Sequence, residues 1–140
     1  MEKVENLVLK NLLFNEEYAR KVIPFIQKDY FEDEGNKVLF EEISGFIVQY
    51  DELPSKEAVS IEVENREDLT EQTFRALGKV ISYLEKEPAD FVWLCDTTER
   101  WCRDRAIYLA LMESIALADG KDEKKGRDAI PSILSDALAV

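Results

Sequence analysis

The chain has few residues whose type and spacing could support catalysis or metal binding. It contains no histidine, which removes the commonest general base and zinc ligand, and its two cysteines lack CxxC spacing. On a helix, Cys95 and Cys102 would lie about 10 Å apart on one face, too far for a disulfide. We interpret them as buried, reduced thiols rather than as metal ligands or nucleophiles.

Two further patterns resemble sites only superficially. Three consecutive carboxylates, Glu32-Asp33-Glu34, cannot converge on one ion in a regular helix, and we interpret them as a helix N-terminus. Gly120 and Gly126 are separated by five residues and followed by Arg127-Asp128, whereas a phosphate loop needs four and then Lys-Ser/Thr after a strand. We therefore expect no catalytic, cofactor-binding or metal-binding residue in this chain, with a carboxylate-based enzyme left as an alternative.

The clearest candidates for chemistry are cations near the end of the chain. Arg103 falls on the outer face of a predicted helix, where solvation is the simplest role. Arg105 points with Leu94, Trp101 and Met112, and a charge in an apolar stripe usually pairs with an acid. A polar tip follows between the two glycines, and it either meets a partner or is simply solvated. The candidate partner contacts are Arg103, Arg105, Lys121, Lys124, Lys125 and Arg127.

The element that must position these residues is the segment 89–119. It contains neither glycine nor proline and would extend roughly 45 Å as one helix. In its first half the apolar side chains keep to one face, whereas its second half is apolar almost all round. The predicted stripe comprises Phe91, Leu94, Cys95, Trp101, Cys102, Tyr108, Met112 and Ile115, with Ile107, Ala110, Leu111 and Leu117 behind it.

A helix that is apolar all round must be buried on both sides. One side can be covered by its own domain, but the other needs a second element or a second molecule. The final helix has its apolar residues at i, i+3, i+4, i+7 and i+8 from Ile130, so it can fold back as a hairpin and cover part of this surface. We therefore predict hairpin packing and self-association through Tyr108, Leu111, Met112, Ile115, Leu117, Ile133, Leu134 and Leu138.

Helical spacing also organises the rest of the chain, so we predict an all-α fold. A compact helical head (1–88) precedes a long helix and a C-terminal helical hairpin (89–140). Tyr30 and Phe31 should anchor a loop in the core, and the inner helix faces should include Phe25, Tyr50 and Phe74. The first predicted helix is Glu2–Phe14, the second begins at a cap on Asn15 and bends or ends at Pro24, and the third covers 35–50. Ser55 and Thr70 are predicted to cap the next two helices, which run to about Glu64 and about Glu87. Pro88 should open the long helix, and Asp128 should cap the last one, with Pro131 in its first turn.

Composition bounds the function classes. With 140 residues, 46% apolar and 34% charged, the chain suits one folded domain. Its net charge of −12 is concentrated in residues 1–98, which hold 11 basic and 22 acidic side chains, so this part should repel duplex DNA. No apolar run reaches the length of about 20 residues needed for a membrane span, and no signal peptide is evident, so we expect a cytoplasmic protein. The apolar end at 137–140 favours a fragment of a longer chain.

Several short motifs in a fixed order extend over nearly all of the chain. Each is weak alone, but their order and spacing resemble the amino-terminal domain of the DnaB-type hexameric replicative DNA helicases, most of all the T-even-like phage members. The motifs are Asp29-Tyr30-Phe31 before a helix with Leu39-Phe40, Leu53-Pro54-Ser55, Trp93-Leu94 in a long helix reaching Arg105-Ala106, and Ala129-Ile130-Pro131-Ser132-Ile133 with Ala137-Leu138.

The resemblance implies a collar and assembly domain for DNA replication in the replisome of a bacterial host cell infected by a phage. Its hairpins would pair between subunits, from dimer to hexameric ring, and it would dock primase and contact a helicase loader within a primosome. ATP, magnesium and the unwinding of single-stranded DNA would belong to a RecA-like motor domain. The phosphate loop of that motor has no counterpart in these residues, so we expect this chain alone not to be an enzyme.

A different class of protein stays open as an alternative. The strongly acidic composition also fits a free-standing acidic adaptor or DNA mimic that binds a basic partner. Such a protein should be a monomer, whereas a collar domain should associate with itself.

Overall fold

The computed structural model describes residues 2–121 and 125–140, and this part of the chain contains helices and connections but no strand. The predicted all-α class with a long helix near the end is therefore confirmed. The helices are α1 (Glu2–Phe14), α2 (Glu16–Val22), α3 (Glu34–Tyr50), α4 (Lys56–Glu64), α5 (Glu71–Tyr83), α6 (Phe91–Ala118) and α7 (Ile130–Leu138), with single 3-10 turns at Ile23–Phe25, Lys28–Tyr30 and Arg127–Ala129.

Local side-chain chemistry starts four of these helices. In each, a polar side chain accepts a hydrogen bond from the backbone N–H three residues later, at 3.0 to 3.1 Å. Such a cap satisfies one of the N–H groups that the first helical turn leaves without a partner. The predicted caps Asn15, Ser55 and Thr70 are confirmed, and Asp33 caps α3 within the acidic triplet.

Proline and glycine end several helices. Pro24 ends α2 and turns the chain into a 3-10 helix, as predicted. Gly120 ends α6 at a φ of 70°, where its N–H reaches the Leu117 carbonyl and the next N–H, from Lys121, reaches the Ala116 carbonyl at 2.9 Å. This pair of bonds closes the helix end and reverses the chain direction.

The connection between α5 and α6 is longer than predicted, since α5 ends at Tyr83 and α6 begins at Phe91. Leu84 adopts an extended backbone with ψ of 121° and is only 5% exposed, so burial of this side chain accompanies the exit from the helix. Pro88 then disfavours helical backbone at Glu87. The prediction that Pro88 opens the long helix is therefore wrong by three residues.

The predicted Asp128 cap is also wrong. Residue Ala129 occupies the capping position of α7, and no side chain bonds there. A capping side chain usually accepts from the second or third N–H of a helix, and here Pro131 removes the second. The 3-10 turn Arg127–Ala129 leads into the helix instead, with Pro131 in the first turn as predicted.

The fold divides into two compact units, which we call the head unit (Met1–Thr98) and the hairpin unit (Glu99–Val140), so the division falls within α6. In the head unit, α3 packs against α1, α4 and α5, and α1 also packs against α2. Tyr30 and Phe31 are buried as predicted. The completely enclosed side chains of this unit include Val8, Leu9, Leu12, Tyr18, Leu39, Ile43, Leu77 and Leu94.

Three aromatics predicted on inner faces lie outside the core. Phe25 is 70% exposed because the 3-10 turn Ile23–Phe25, which contains Pro24, spaces its residues by about 120° rather than 100°. Tyr50 is the last residue of α3 and is 56% exposed, although its ring packs on Phe46 at 4.6 Å between centroids. Phe74 stands near the start of α5 and is 41% exposed.

Buried polar groups in the head unit have specific partners. The Glu5 carboxylate is 1% exposed and accepts hydrogen bonds from the Asn36 side-chain amide and the Glu32 backbone N–H, both at 3.0 Å. The Tyr18 hydroxyl lies 2.7 Å from the Thr98 hydroxyl oxygen. These contacts join α1 to the start of α3, and α2 to the first part of α6.

Candidate self-association surface

The buried face of α6 changes position along the helix. In the first part Leu94, Thr98 and Trp101 are buried, whereas in the second part Ala110 and Leu117 are buried. At 100° per residue, the second face lies roughly two-fifths of a turn around the helix from the first. Tyr108, Met112 and Ile115, predicted on the stripe, are exposed in the single chain, whereas Ala110 and Leu117, predicted behind it, are buried.

This rotation leaves four large apolar side chains exposed. Tyr108 is 50% exposed, Leu111 and Met112 are 48% exposed, and Ile115 is 55% exposed. Their spacing of i, i+3, i+4 and i+7 places them on one side of α6, about 10 Å long, nearly opposite the buried Ala110 and Leu117. We call these four residues the apolar stripe.

A buried cation supports one end of the stripe. The guanidinium carbon of Arg105 lies 4.9 Å from the centre of the Tyr108 ring, and Arg105 is only 4% exposed. A cation at this distance is attracted to the ring face and restrains its orientation. Tyr108 therefore presents a ring that is already partly ordered, which reduces the entropy that a contact would cost.

The hairpin unit is closed by contacts at both of its ends. Near the turn, the Lys125 ammonium lies 3.1 Å from the Glu113 carboxylate. At the other end, Arg103 Nε donates to the carbonyl oxygen of Val140 at 3.2 Å. These two contacts show that α7 runs back along α6, as predicted for a helical hairpin.

The remaining residues of the predicted surface do not join the apolar stripe. Leu117 is 2% exposed and belongs to the buried side of α6. On α7, Ile133 and Leu134 are half-buried and Leu138 is 72% exposed. The structure therefore groups four of the eight predicted residues, Tyr108, Leu111, Met112 and Ile115, into one exposed stripe.

Apolar side chains with this spacing on adjacent helical turns are suited to packing against another apolar helix. An apolar contact of this kind needs no catalytic group. Among the described residues, no group of three or more His, Cys, Asp or Glu side chains could hold a metal ion. In the same part of the chain, no helix is both long and apolar enough to cross a bilayer.

Comparison with known proteins adds a relationship to this geometry. No protein-family model matches the chain. The chain is 30% identical over 142 aligned residues to a protein of Enterobacteria phage T4 described as a DnaB-like replicative helicase. The match covers 96% of this chain. The chain is therefore similar in sequence to one part of this phage helicase. It spans 30% of the length of the relative that it matches.

The cations predicted to meet a partner occupy different settings in the structure. Arg103 is exposed but bonds to Glu99 at 2.8 Å as well as to the Val140 carbonyl. Arg105 is buried, so its guanidinium is not a surface group of the single chain. At the tip, Lys121, Lys125 and Arg127 are exposed, and Lys124 lies outside the described residues.

Both cysteines are free thiols, and Cys102 is buried as predicted whereas Cys95 is only half-buried. Burial raises the pKa of Cys102 to about 12, with the Glu99 carboxylate adding to the effect. Burial also raises the pKa of Cys95. A thiol with a raised pKa holds its proton near neutral pH and reacts slowly, which agrees with the interpretation as structural thiols.

Sequence reasoning missed two exposed aromatics of the head unit, Tyr83 at 81% and Trp93 at 54%. The sequence signal that could have identified them is their position relative to the apolar repeat of their own helices. Tyr83 falls between the buried positions Ile81 and Leu84 of the α5 pattern, and Trp93 precedes the buried Leu94 on α6. A large aromatic out of phase with its own helix is a candidate for contact with another molecule.

Proposed function

We propose that this chain is the N-terminal collar and assembly domain of a phage-type replicative DNA helicase, and that the apolar stripe joins its subunits. The observation that carries this proposal is the i, i+3, i+4, i+7 spacing of four exposed apolar side chains on α6. A single chain gains nothing from leaving them in water, whereas a second copy of the same stripe would remove them from it.

The relationship to the phage T4 helicase supports a ring as the end state of this association. Identical stripes can pair about a two-fold axis, and such dimers can be assembled further into a hexamer. In this proposal, ATP, magnesium and the unwinding of DNA belong to a RecA-like motor domain, and single-stranded DNA is met through the whole hexamer.

The same proposal assigns docking roles to the domain. Primase and a helicase loader are the expected protein partners. The exposed cations Lys121 and Arg127 near the hairpin turn offer an acidic partner a local positive charge, and Lys125 would add to it by exchanging its Glu113 carboxylate for one of the partner. The remainder of the chain is too acidic to attract nucleic acid, with 22 acidic against 11 basic side chains in residues 1–98.

Solution mass measured over a range of concentrations tests the self-association. We expect the mass of the wild-type chain, followed by sedimentation velocity, to rise from low to high micromolar concentration. The double variant Leu111→Glu, Ile115→Glu should stay monomeric, because two desolvated carboxylates would oppose the contact.

The matched control is Val48→Glu, which places a charge at an apolar residue of α3 that is 81% exposed and far from the stripe in sequence. This variant should associate as the wild type does. A wild-type chain that is monomeric at high micromolar concentration would count against the collar and favour the acidic adaptor. If Val48→Glu reduced association as much as the double variant does, the apolar stripe would not be the specific contact surface.

A further inference from the structure

An open groove of about 550 Å³ lies within the head unit, between α1, the end of α5 and the start of α6. Its deeper residues are apolar, with Leu84 buried and Leu7 and Val80 half-buried. Tyr83 and Trp93 form its exposed edges. The groove shares no residue with the apolar stripe, so it needs a separate explanation.

The two edge aromatics give this groove the composition of a recognition site. Tyrosine and tryptophan bring large contact areas at low conformational cost, and both are enriched among residues that dominate binding energy. The volume lies in the range of about 300 to 1,000 Å³ that is typical of ligand sites. Open at its surface and floored by aliphatic side chains, the groove fits the apolar face of a helix.

Among the charged residues that line the groove, two lysines outnumber one carboxylate, whereas acidic side chains outnumber basic ones in the head unit as a whole. Lys3 and Lys10 both line it, and at seven residues apart they lie on the same side of α1, separated by about 10 Å along its axis. Lys10 already binds a carboxylate, that of Glu87, at 3.3 Å. Lys3 is exposed and has no ion pair with any residue that the structure describes.

The Lys10–Glu87 pair shows what chemistry this edge accepts. A carboxylate fits beside α1 at the groove. Lys3, a second lysine two helical turns away on the same side, has no carboxylate partner among the described residues. Repulsion by the net charge of −12 acts over distance, but at physiological ionic strength it is screened beyond about 8 Å, so contacts inside the groove depend on the local lysines.

We propose that the groove binds an acidic amphipathic helix of a partner protein. Apolar side chains of that helix would lie over Leu7, Val80 and Leu84 between the Tyr83 and Trp93 rings. A carboxylate of the helix would pair with Lys3, and a second one would compete with Glu87 for Lys10. This inference does not rest on self-association through the apolar stripe, since it uses none of its residues.

A displayed library of helical peptides is a probe that assumes no particular partner. The library is selected on the immobilised 140-residue chain, and the enriched peptides are synthesised and titrated in solution by fluorescence anisotropy. We expect enrichment of peptides that combine aromatic or aliphatic residues at i and i+4 with flanking Asp or Glu. Binding should shift the emission of Trp93 to shorter wavelength as its ring leaves water.

Two variants locate the binding. The double variant Lys3→Glu, Trp93→Ser should weaken the enriched peptides by about tenfold or more. The control Ile115→Ser alters the apolar stripe and should leave their affinity unchanged. Helix content and the unfolding midpoint, measured for each variant, establish that the groove variant is folded, and Lys3→Gln alone gives a milder test because Lys3 is exposed.

Several results would overturn the proposal. One is the absence of enriched peptides, and another is enrichment of basic or uncharged ones. A third is equal affinity for the wild type and the groove variant. Lysines beside exposed aromatics also resemble a single-stranded DNA platform, so tight binding of a labelled oligothymidine that displaces the peptides would replace this proposal with a nucleic-acid site.

Discussion

The head unit and the hairpin unit bury their apolar residues to different degrees. In the head unit α3 is surrounded by α1, α4 and α5, and side chains such as Leu39 and Ile43 are completely enclosed. Among the described residues of the hairpin unit, α7 is the helix that runs back along the second part of α6, and one helix covers a single side of another. The apolar stripe is the side left over. The comparison teaches that the head can be stable through its own packing, whereas the hairpin has apolar surface to offer a second molecule.

The largest expected effect is on the core of the head unit. Leu39→Ala removes a side chain that is 0% exposed, so the variant loses both its burial and the contacts around the resulting cavity. We expect the free energy of unfolding to fall by about 2 to 5 kcal/mol. Chemical denaturation of wild type and variant measures this difference. A loss well under 1 kcal/mol would mean that the head relies on outside contacts as much as the hairpin does.

The next largest effect concerns the buried polar contacts of the head unit. Glu5→Ala removes the acceptor of the buried Asn36 amide and of the Glu32 N–H, which we expect to cost about 1 to 3 kcal/mol in unfolding free energy. Glu5→Gln is the matched control, because one amide oxygen can still accept from Asn36 or Glu32. Its cost should be smaller, and equal costs for the two variants would show that these hydrogen bonds contribute little.

The parts of the fold that could be predicted from the sequence are those set by interactions between residues close together along the chain. Asn15, Ser55 and Thr70 were recognisable as caps because a capping side chain acts on an N–H three residues later. Pro24 and Gly120 likewise act on their own backbone. Asp128 was misread because the decisive fact, the loss of an N–H at Pro131, competed with an equally local preference for aspartate at a cap.

The candidate surface was harder to predict because it depends on which face of α6 is covered. Spacing alone placed Tyr108, Met112 and Ile115 on the same stripe as Leu94 and Trp101. An α-helix drifts by about 20° per heptad from such a repeat, and the covering elements also change between the two units. The residue types of a contact surface were therefore foreseeable, but the orientation of the two halves required tertiary structure.

Alkaline pH offers a smaller test, applied to the interior of the hairpin unit. Burial raises the pKa of Cys102 from its ordinary value of 9.0 to about 12, so the folded chain keeps a proton that the unfolded chain releases. The unfolded state is then favoured as pH rises. The contribution of Cys102 to the free energy of unfolding should be fully present below about pH 9 and should be lost between pH 9 and 12. The slope, measured by denaturation at several pH values, should be shallower in Cys102→Ala. An unchanged slope would indicate that water reaches this thiol in the folded chain.

The smallest expected effect is at the apolar stripe itself. Ile115→Ser removes an apolar side chain that is 55% exposed, and at a concentration where the chain is monomeric the unfolding free energy should change by about 0.5 kcal/mol or less. Leu117→Ala, two residues away on the same helix, is the control, because Leu117 is 2% exposed and its loss should cost several times more. At high concentration the cost of Ile115→Ser should rise relative to that of Leu117→Ala. Only the Ile115 variant would lose the stabilisation that mass action gives to an associating chain. If Ile115→Ser were strongly destabilising in the monomer, this side chain would contribute to the packing of its own unit, and the contrast between a self-sufficient head and a partner-dependent hairpin would fail at the residue on which it most depends.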